Sequence, residues 1–196
     1  MWPDDLNINV SRESLDKLRV YDALLHKWQK TINLVSPNTL PQSWERHILD
    51  SIQLNDHVSR ESSVLYDLGC GAGFPGLVLA ILRPELEVHL IESDQRKCSF
   101  MRAVSRETNT PVTVHNARIE EASLPAPDVV TARALAPLDD LLGFCEAWAK
   151  PGMRGLFLKG ARYNEEIEDS TRAKNVELDV VKSPLSPDSA IIKVKW

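Results

Sequence analysis

Cysteine is scarce in these 196 residues, and the three that occur, Cys70, Cys98 and Cys145, fall at no metal-ligand spacing and cannot all pair. A disulfide-built secreted module is thereby excluded; no metal site is expected, and reduced thiols in a cytoplasmic protein are. No apolar run approaches the roughly 20 residues needed to cross a bilayer. The start, Met-Trp-Pro-Asp-Asp, lacks the basic and apolar regions of a secretory signal. A membrane partner is therefore not expected. Positive charge is not in excess either: 23 Lys and Arg stand against 28 Asp and Glu, a formal net charge of −5. Any nucleic-acid partner would have to be met by a local basic surface. Glycine is sparse too, eight residues in all, and half of them, Gly69, Gly71, Gly73 and Gly76, crowd into one stretch.

That stretch organises the chain. An apolar run, Val64-Leu65-Tyr66, ends in Asp67; the four glycines follow, and then Leu77 to Leu82 reads as a buried helix. Strand, glycine turn, helix is the setting in which a nucleotide-like ligand sits over the carboxyl end of a parallel sheet. Gly71-Ala-Gly73-Phe-Pro-Gly76 formally satisfies a dinucleotide pattern, but two features oppose that ligand. Pro75, expected in the first turn of the helix, removes an N–H that a pyrophosphate would use. Asp67 sets a carboxylate beside the turn, which repels phosphate and suits a cation. S-adenosylmethionine has no phosphate and carries an ammonium and a sulfonium. The acid-x-Gly-x-Gly-x-Gly order resembles the first motif of class I methyltransferases.

Before this stretch, Ser11 is a candidate cap for a helix reaching about Lys30, with Leu15, Leu18, Tyr21, Leu25 and Trp28 near the helical period. A loop follows, then a second helix from about Gln42 to Val58. The expected organisation is a helical extension over 1–60 packed on an α/β core over 61–196. After Val64, strands and helices alternate, which signals a parallel sheet. Further strands are expected at Val88–Glu92, Val112–His115, Val129–Arg133, Gly155–Lys159, Val176–Val181 and Ala190–Val194. Helices are expected at about Asp94–Arg106 and Pro137–Lys150, with partial helix in the polar segment 160–172. Seven strands with the final pair antiparallel would make the usual methyltransferase sheet, Rossmann-like and mostly parallel. Glu92 closes the second strand at the distance from the glycine turn where an acid meets the ribose hydroxyls of an adenosine ligand.

The chemistry residues narrow the acceptor. After the fourth strand stands Arg133-Ala-Leu-Ala-Pro137, not the Asp/Asn-Pro-Pro-aromatic of enzymes that methylate exocyclic amines. Pyrimidine C5 methylation needs a cysteine nucleophile, and Cys70, Cys98 and Cys145 sit in the turn or within expected helices. Guanine N7 offers an unprotonated lone pair, so a site without a general base is consistent with it. No catalytic acid or base is identified.

Several motifs now stand in order: Arg46-His-Ile-Leu-Asp-Ser51, Asp67 to Gly76, Glu92-Ser-Asp-Gln-Arg-Lys97, Arg118-Ile-Glu-Glu121, Arg133-Ala134 and Lys159-Gly160. Together they resemble the bacterial 16S ribosomal RNA guanine-N7 methyltransferase family (RsmG, also called glucose-inhibited division protein B). The resemblance covers about Leu34 to Gly160. It implies a class I fold, S-adenosylmethionine as donor, and methylation of one guanine in a decoding-region loop of the small ribosomal subunit. It implies cofactor contacts at Gly69, Phe74, Ile119, Glu120 and Arg133, joined by Gly71 and Glu92 from the reading above. Phe74 would supply an apolar wall, Ile119 and Glu120 the adenine border; Arg133 would hold the methionine carboxylate or a substrate phosphate. Glu92 stands where the family more often has Asp, and the tail after Gly160 matches loosely.

The partner implied is 16S ribosomal RNA or the small subunit, met by a cytoplasmic monomer. Between Asp94 and Arg118, five cations (Arg96, Lys97, Arg102, Arg106, Arg118) face two acids, Asp94 and Glu107. Lys27, Lys30, Arg46 and His47 add to that surface, although His47 could equally be a hydrogen-bonded buried histidine. Competing readings are a methyltransferase for another RNA, a protein or a small molecule, a nucleotide-binding oxidoreductase, and a non-catalytic RNA-binding module. Pro75 and Asp67 count against the oxidoreductase, and the glycine turn with Glu92 against the binding module.

Overall fold

The computed structural model describes residues 10–196, so the first nine residues of the expected helical extension lie outside the described residues. Helix α1 spans Arg12–Trp28; Ser11 caps it by accepting the N–H of Ser14, and Leu18, Tyr21 and Leu25 form its buried stripe. It stops two residues before the expected Lys30. The Gln29 side chain takes over the following backbone, accepting from the amides of Leu34 and Val35 and donating to the carbonyl of Val35.

The expected second helix, 42–58, is not one α-helix. It is a 3-10 turn Leu40–Gln42, a π-helical stretch Trp44–Leu49, a short turn α2 (Asp50–Ile52) and a 3-10 turn Asn55–His57. The apolar periodicity is present, but side chains compete for the carbonyls: Ser51 Oγ binds the His47 oxygen at 2.6 Å and Arg133 the Arg46 oxygen at 3.0 Å. π-Turns of this kind recur at functional sites.

Seven strands form one sheet: β1 Val64–Leu68, β2 Glu87–Glu92, β3 Thr113–Asn116, β4 Val129–Arg133, β5 Arg154–Lys159, β6 Glu177–Lys182 and β7 Ala190–Lys195. Their order is β3-β2-β1-β4-β5-β7-β6. Strands β1 to β5 pair in parallel, while β7 runs antiparallel to both β5 and β6. The strand order reverses between β1 and β4, the switch point at which ligands settle in such sheets.

Helix α3 (Gly76–Leu82) is buried on nearly every side, because it lies between the sheet and the N-terminal helices. Helix α4 (Gln95–Glu107) is capped by Asp94, which accepts from Arg96 and Lys97. These share one apolar cluster with α1 and α2. Helix α5 (Leu138–Cys145) and helix α6 (Tyr163–Asp169) cover the other face. Helix α5 ends well before the expected Lys150. Beyond Cys145 the bonds tighten to 3-10 type, Trp148 to Cys145 and Ala149 to Glu146, so apolar spacing continues where the α-helix does not. Among the described residues no helix is long and apolar enough to cross a membrane.

Candidate active site at the carboxyl edge of the sheet

The turn after β1 is left-handed at Gly69, Gly71 and Gly73. At Gly71 (φ +58°) a Cβ would meet nothing nearer than the Gly69 oxygen at 4.0 Å, so this position faces open space. Gly76 is needed for the opposite reason. A Cβ there would come within 2.7 Å of Asp67 Cβ and 2.5 Å of Leu90 Cδ2. Pro75 stands one position earlier than expected, as the residue preceding the first helical turn.

Asp67 does not face a ligand. It is wholly buried; Oδ2 accepts the Gly76 N–H at 2.8 Å and Oδ1 the Thr131 hydroxyl at 2.9 Å. Burial pushes its carboxyl up to about 7, against the downward pull of those two hydrogen bonds. The acid ties β1, β4 and the start of α3 together, and its sequence position beside the glycines does not reveal that inward direction.

Glu92, at the end of β2, accepts the Gly71 N–H on Oε2 (2.9 Å) and the Asp94 N–H on Oε1 (2.8 Å). Each carboxylate oxygen keeps a lone pair, which suits a vicinal diol. The Glu92 carbonyl is bound by Asn116 Nδ2 and the Ala117 N–H, both at 3.2 Å, so the ends of β2 and β3 are locked together. Ile119 and Glu120 follow on a 3-10 turn, Ile119 half-buried and Glu120 exposed.

Arg133 ends β4 and reaches into the N-terminal helices. Its Nη1 donates to the Arg46 carbonyl (3.0 Å), His47 Nδ1 (3.0 Å) and Asp50 Oδ2 (3.4 Å). Nε and Nη2 make no hydrogen bond among the described residues, so two nitrogens remain for an anion. Since Arg133 can only donate, His47 Nδ1 is the acceptor and Nε2 carries the proton, given to Thr39 Oγ1 at 2.9 Å. Thr39 passes its own proton to the Ser36 carbonyl at 2.9 Å. Burial first, then Arg133 and Arg46, hold the His47 imidazole down to about 4. His47 is thus a neutral, fully engaged imidazole.

Phe74 is buried, with its ring stacked on Tyr21 (5.0 Å between centroids) and His47 (5.3 Å) and the Arg133 guanidinium 5.0 Å above it. Its ring therefore joins the N-terminal helices to the glycine turn. Tyr21 completes the join by donating its hydroxyl to the Ala72 carbonyl. Gly69, Gly71, Glu92, Ile119, Glu120 and Arg133 thus all fall at the carboxyl edge, Glu92 and Arg133 as the last residues of β2 and β4 and the others on the segments after β1 and β3. Tyr21, Thr39 and Asp50 are the supporting residues that sequence reasoning missed. The Arg46–Ser51 motif was the signal, but not its reach across the fold to Arg133.

The cations on α4 are largely spent. Arg96 pairs with Asp94, Arg106 with Glu107, and Arg102 binds the Val114 carbonyl. Lys27, Lys30, Arg46, Lys97 and Arg118 make no ion pair among the described residues. No group of three or more His, Cys, Asp or Glu is placed to hold a metal among them either. An adenosyl ligand fits what is present: open space at Gly71, spare acceptors on Glu92 and spare donors on Arg133.

Residues 14–187 match the family model GidB, rRNA small subunit methyltransferase G. The chain is 48% identical over 197 residues to the ribosomal RNA small subunit methyltransferase G of Paramagnetospirillum magneticum, covering 100% of this chain and 96% of that protein. It is 50% identical over 192 residues to the protein of the same name from Parvibaculum lavamentivorans, covering 95% and 85%. Among solved structures it resembles Aeropyrum pernix fibrillarin in complex with natively bound S-adenosyl-L-methionine, with TM-score 0.59, 18% identity, 76% of this chain and 75% of that one. It also resembles a ribosomal protein L11 methylase from Lactobacillus delbrueckii subsp. bulgaricus, with TM-score 0.62, 10% identity and coverage of 74% and 76%. At those identities the structural likeness concerns the fold.

Proposed function

Because the chain belongs to the rRNA small subunit methyltransferase G family, we propose that it transfers a methyl group from S-adenosylmethionine to N7 of one guanine in the decoding-region loop of 16S ribosomal RNA. The observation that carries the reading is the carboxyl edge itself. Open space at Gly71 lies beside a Glu92 carboxylate with free lone pairs and an Arg133 with two free nitrogens. The donor, when bound, supplies an electrophilic methyl on a sulfonium. Glu92 takes the ribose hydroxyls, Gly71 leaves open space for the donor while Gly69 offers its backbone beneath Leu135, and Ile119 and Glu120 border the adenine. Phe74 contributes its backbone, and Arg133 holds the methionine carboxylate or an RNA phosphate.

Guanine N7 needs no deprotonation, so the protein's task is to orient the reactants and exclude water. The one imidazole beside Arg133 is neutral, buried and engaged at both nitrogens, which suits a support rather than a base. The protein acts in the cytoplasm as a monomer on the small subunit, through the unpaired cations Lys27, Lys30, Arg46, Lys97 and Arg118. The test is to offer methyl-labelled donor to unmodified small subunits, to their naked RNA and to their proteins. Label is expected in the RNA. Label confined to protein, or none at all, would overturn the reading.

A further inference from the structure

Lys159 ends β5 with 7% of its side chain exposed, a rare place for an ammonium unless it is paired. Its Nζ lies 2.6 Å from the Ala136 carbonyl and 2.6 Å from Glu166 Oε2, on α6. The same carboxylate oxygen accepts the N–H of Leu138, the first residue of α5, at 2.9 Å. One ion pair thus grips the last part of the β4–α5 loop and the first amide of the helix beyond it.

That loop is unusual in two respects. Ala134 is left-handed (φ +51°), a conformation that a residue with a Cβ keeps only when its surroundings impose it. Leu135 lies over Gly69, where a Cβ on the glycine would meet Leu135 Cδ1 at 2.4 Å. The loop begins at Arg133 and so closes the gap between the glycine turn and the end of β4. We propose that Lys159 and Glu166 are a positioning pair for methyl transfer, holding this loop in its strained form so that the accepting base is set against the donor. The inference rests on the proposed activity. It gives the Lys159-Gly160 motif a role, and it assigns α6, which lies beyond that motif, the task of delivering Glu166.

Replacing a buried ion pair by apolar residues often leaves stability intact, so the double variant Lys159→Met with Glu166→Leu separates folding from positioning. Its melting temperature and donor affinity are expected near those of the parent, while kcat at saturating donor and RNA falls by about tenfold or more. Hydrogen exchange of the Leu138 amide, the N–H that Glu166 holds, is expected to quicken by a similar factor, and Lys159→Arg, which keeps the cation, to recover part of kcat. Glu166→Gln serves if the double variant does not fold, since it removes the charge but keeps an acceptor. Parental kcat in a folded variant overturns the proposal. Should the parent itself methylate no small-subunit RNA, the proposed activity falls by that result. The exchange measurement then still decides on the clamp: unchanged exchange overturns it.

Discussion

Arg133 is held through one nitrogen and free at two, and that asymmetry makes His47 consequential. Arg133→Ala is expected to lower transfer by about tenfold or more, through lost positioning. His47→Leu should cost several-fold by letting the guanidinium swing, and should add little on top of Arg133→Ala. Additive losses in that double-mutant cycle would separate the two residues. The same residues shape stability. Burial holds the Asp67 carboxyl up at about 7 from 3.8 and the His47 imidazole down at about 4 from 6.5. Folded protein keeps the Asp67 proton where unfolded chain has lost it, so that contribution is complete below pH 3.8 and gone above 7. His47 works in reverse: its contribution is complete above 6.5 and lost as pH falls towards 4. Relative to the parent, Asp67→Asn should gain stability as pH rises across that window and His47→Asn should lose it. The change is on the order of 4 kcal/mol for Asp67 and, with solvent screening, at most about 3 for His47. Urea unfolding at successive pH values reads both slopes; if the two variants shift in the same direction, the assignments fail.

Among the elements, α4 carries a clear basic pattern, but three of its four cations are engaged locally. Arg96, Arg102 and Arg106 are engaged locally, leaving Lys97 and Arg118 to meet phosphate. Lys97→Gln with Arg118→Gln should weaken RNA binding uniformly and lower the salt slope by about two. Arg96→Gln with Arg106→Gln should change it less. Equal effects from both pairs would mean that the ion pairs on α4 open on binding. This element also shows what a sequence can and cannot tell. The extent of α4, expected at about Asp94–Arg106 and found at Gln95–Glu107, was readable because a helix and its cap depend on neighbours two to four residues away. The π-helical form of Trp44–Leu49 was not, since it follows from bonds that Ser51 and the distant Arg133 make to its carbonyls. Asp67 was readable as a residue of importance but not in direction, because its partner Thr131 lies on another strand. The Lys159–Glu166 clamp was invisible because it joins the end of β5 to a helix that folds back on it.

Taken together, a chain of net charge −5 gathers its functional groups on one edge of a seven-stranded sheet. The N-terminal helices are wired to that edge through Tyr21, His47 and Phe74, so cap and core act as one support for the glycine turn and Arg133. The central claim is that this edge brings a methyl donor to a ring nitrogen that needs no base. The most direct measurement is single-turnover methyl transfer to unmodified small-subunit RNA across neutral pH, with both substrates saturating and the modified base mapped. One guanine methylated at N7, detected by reductive cleavage at the cationic ring, is expected at a rate nearly independent of pH. A rate rising about tenfold per pH unit, as an essential base demands, or a methyl on any other atom, would contradict it.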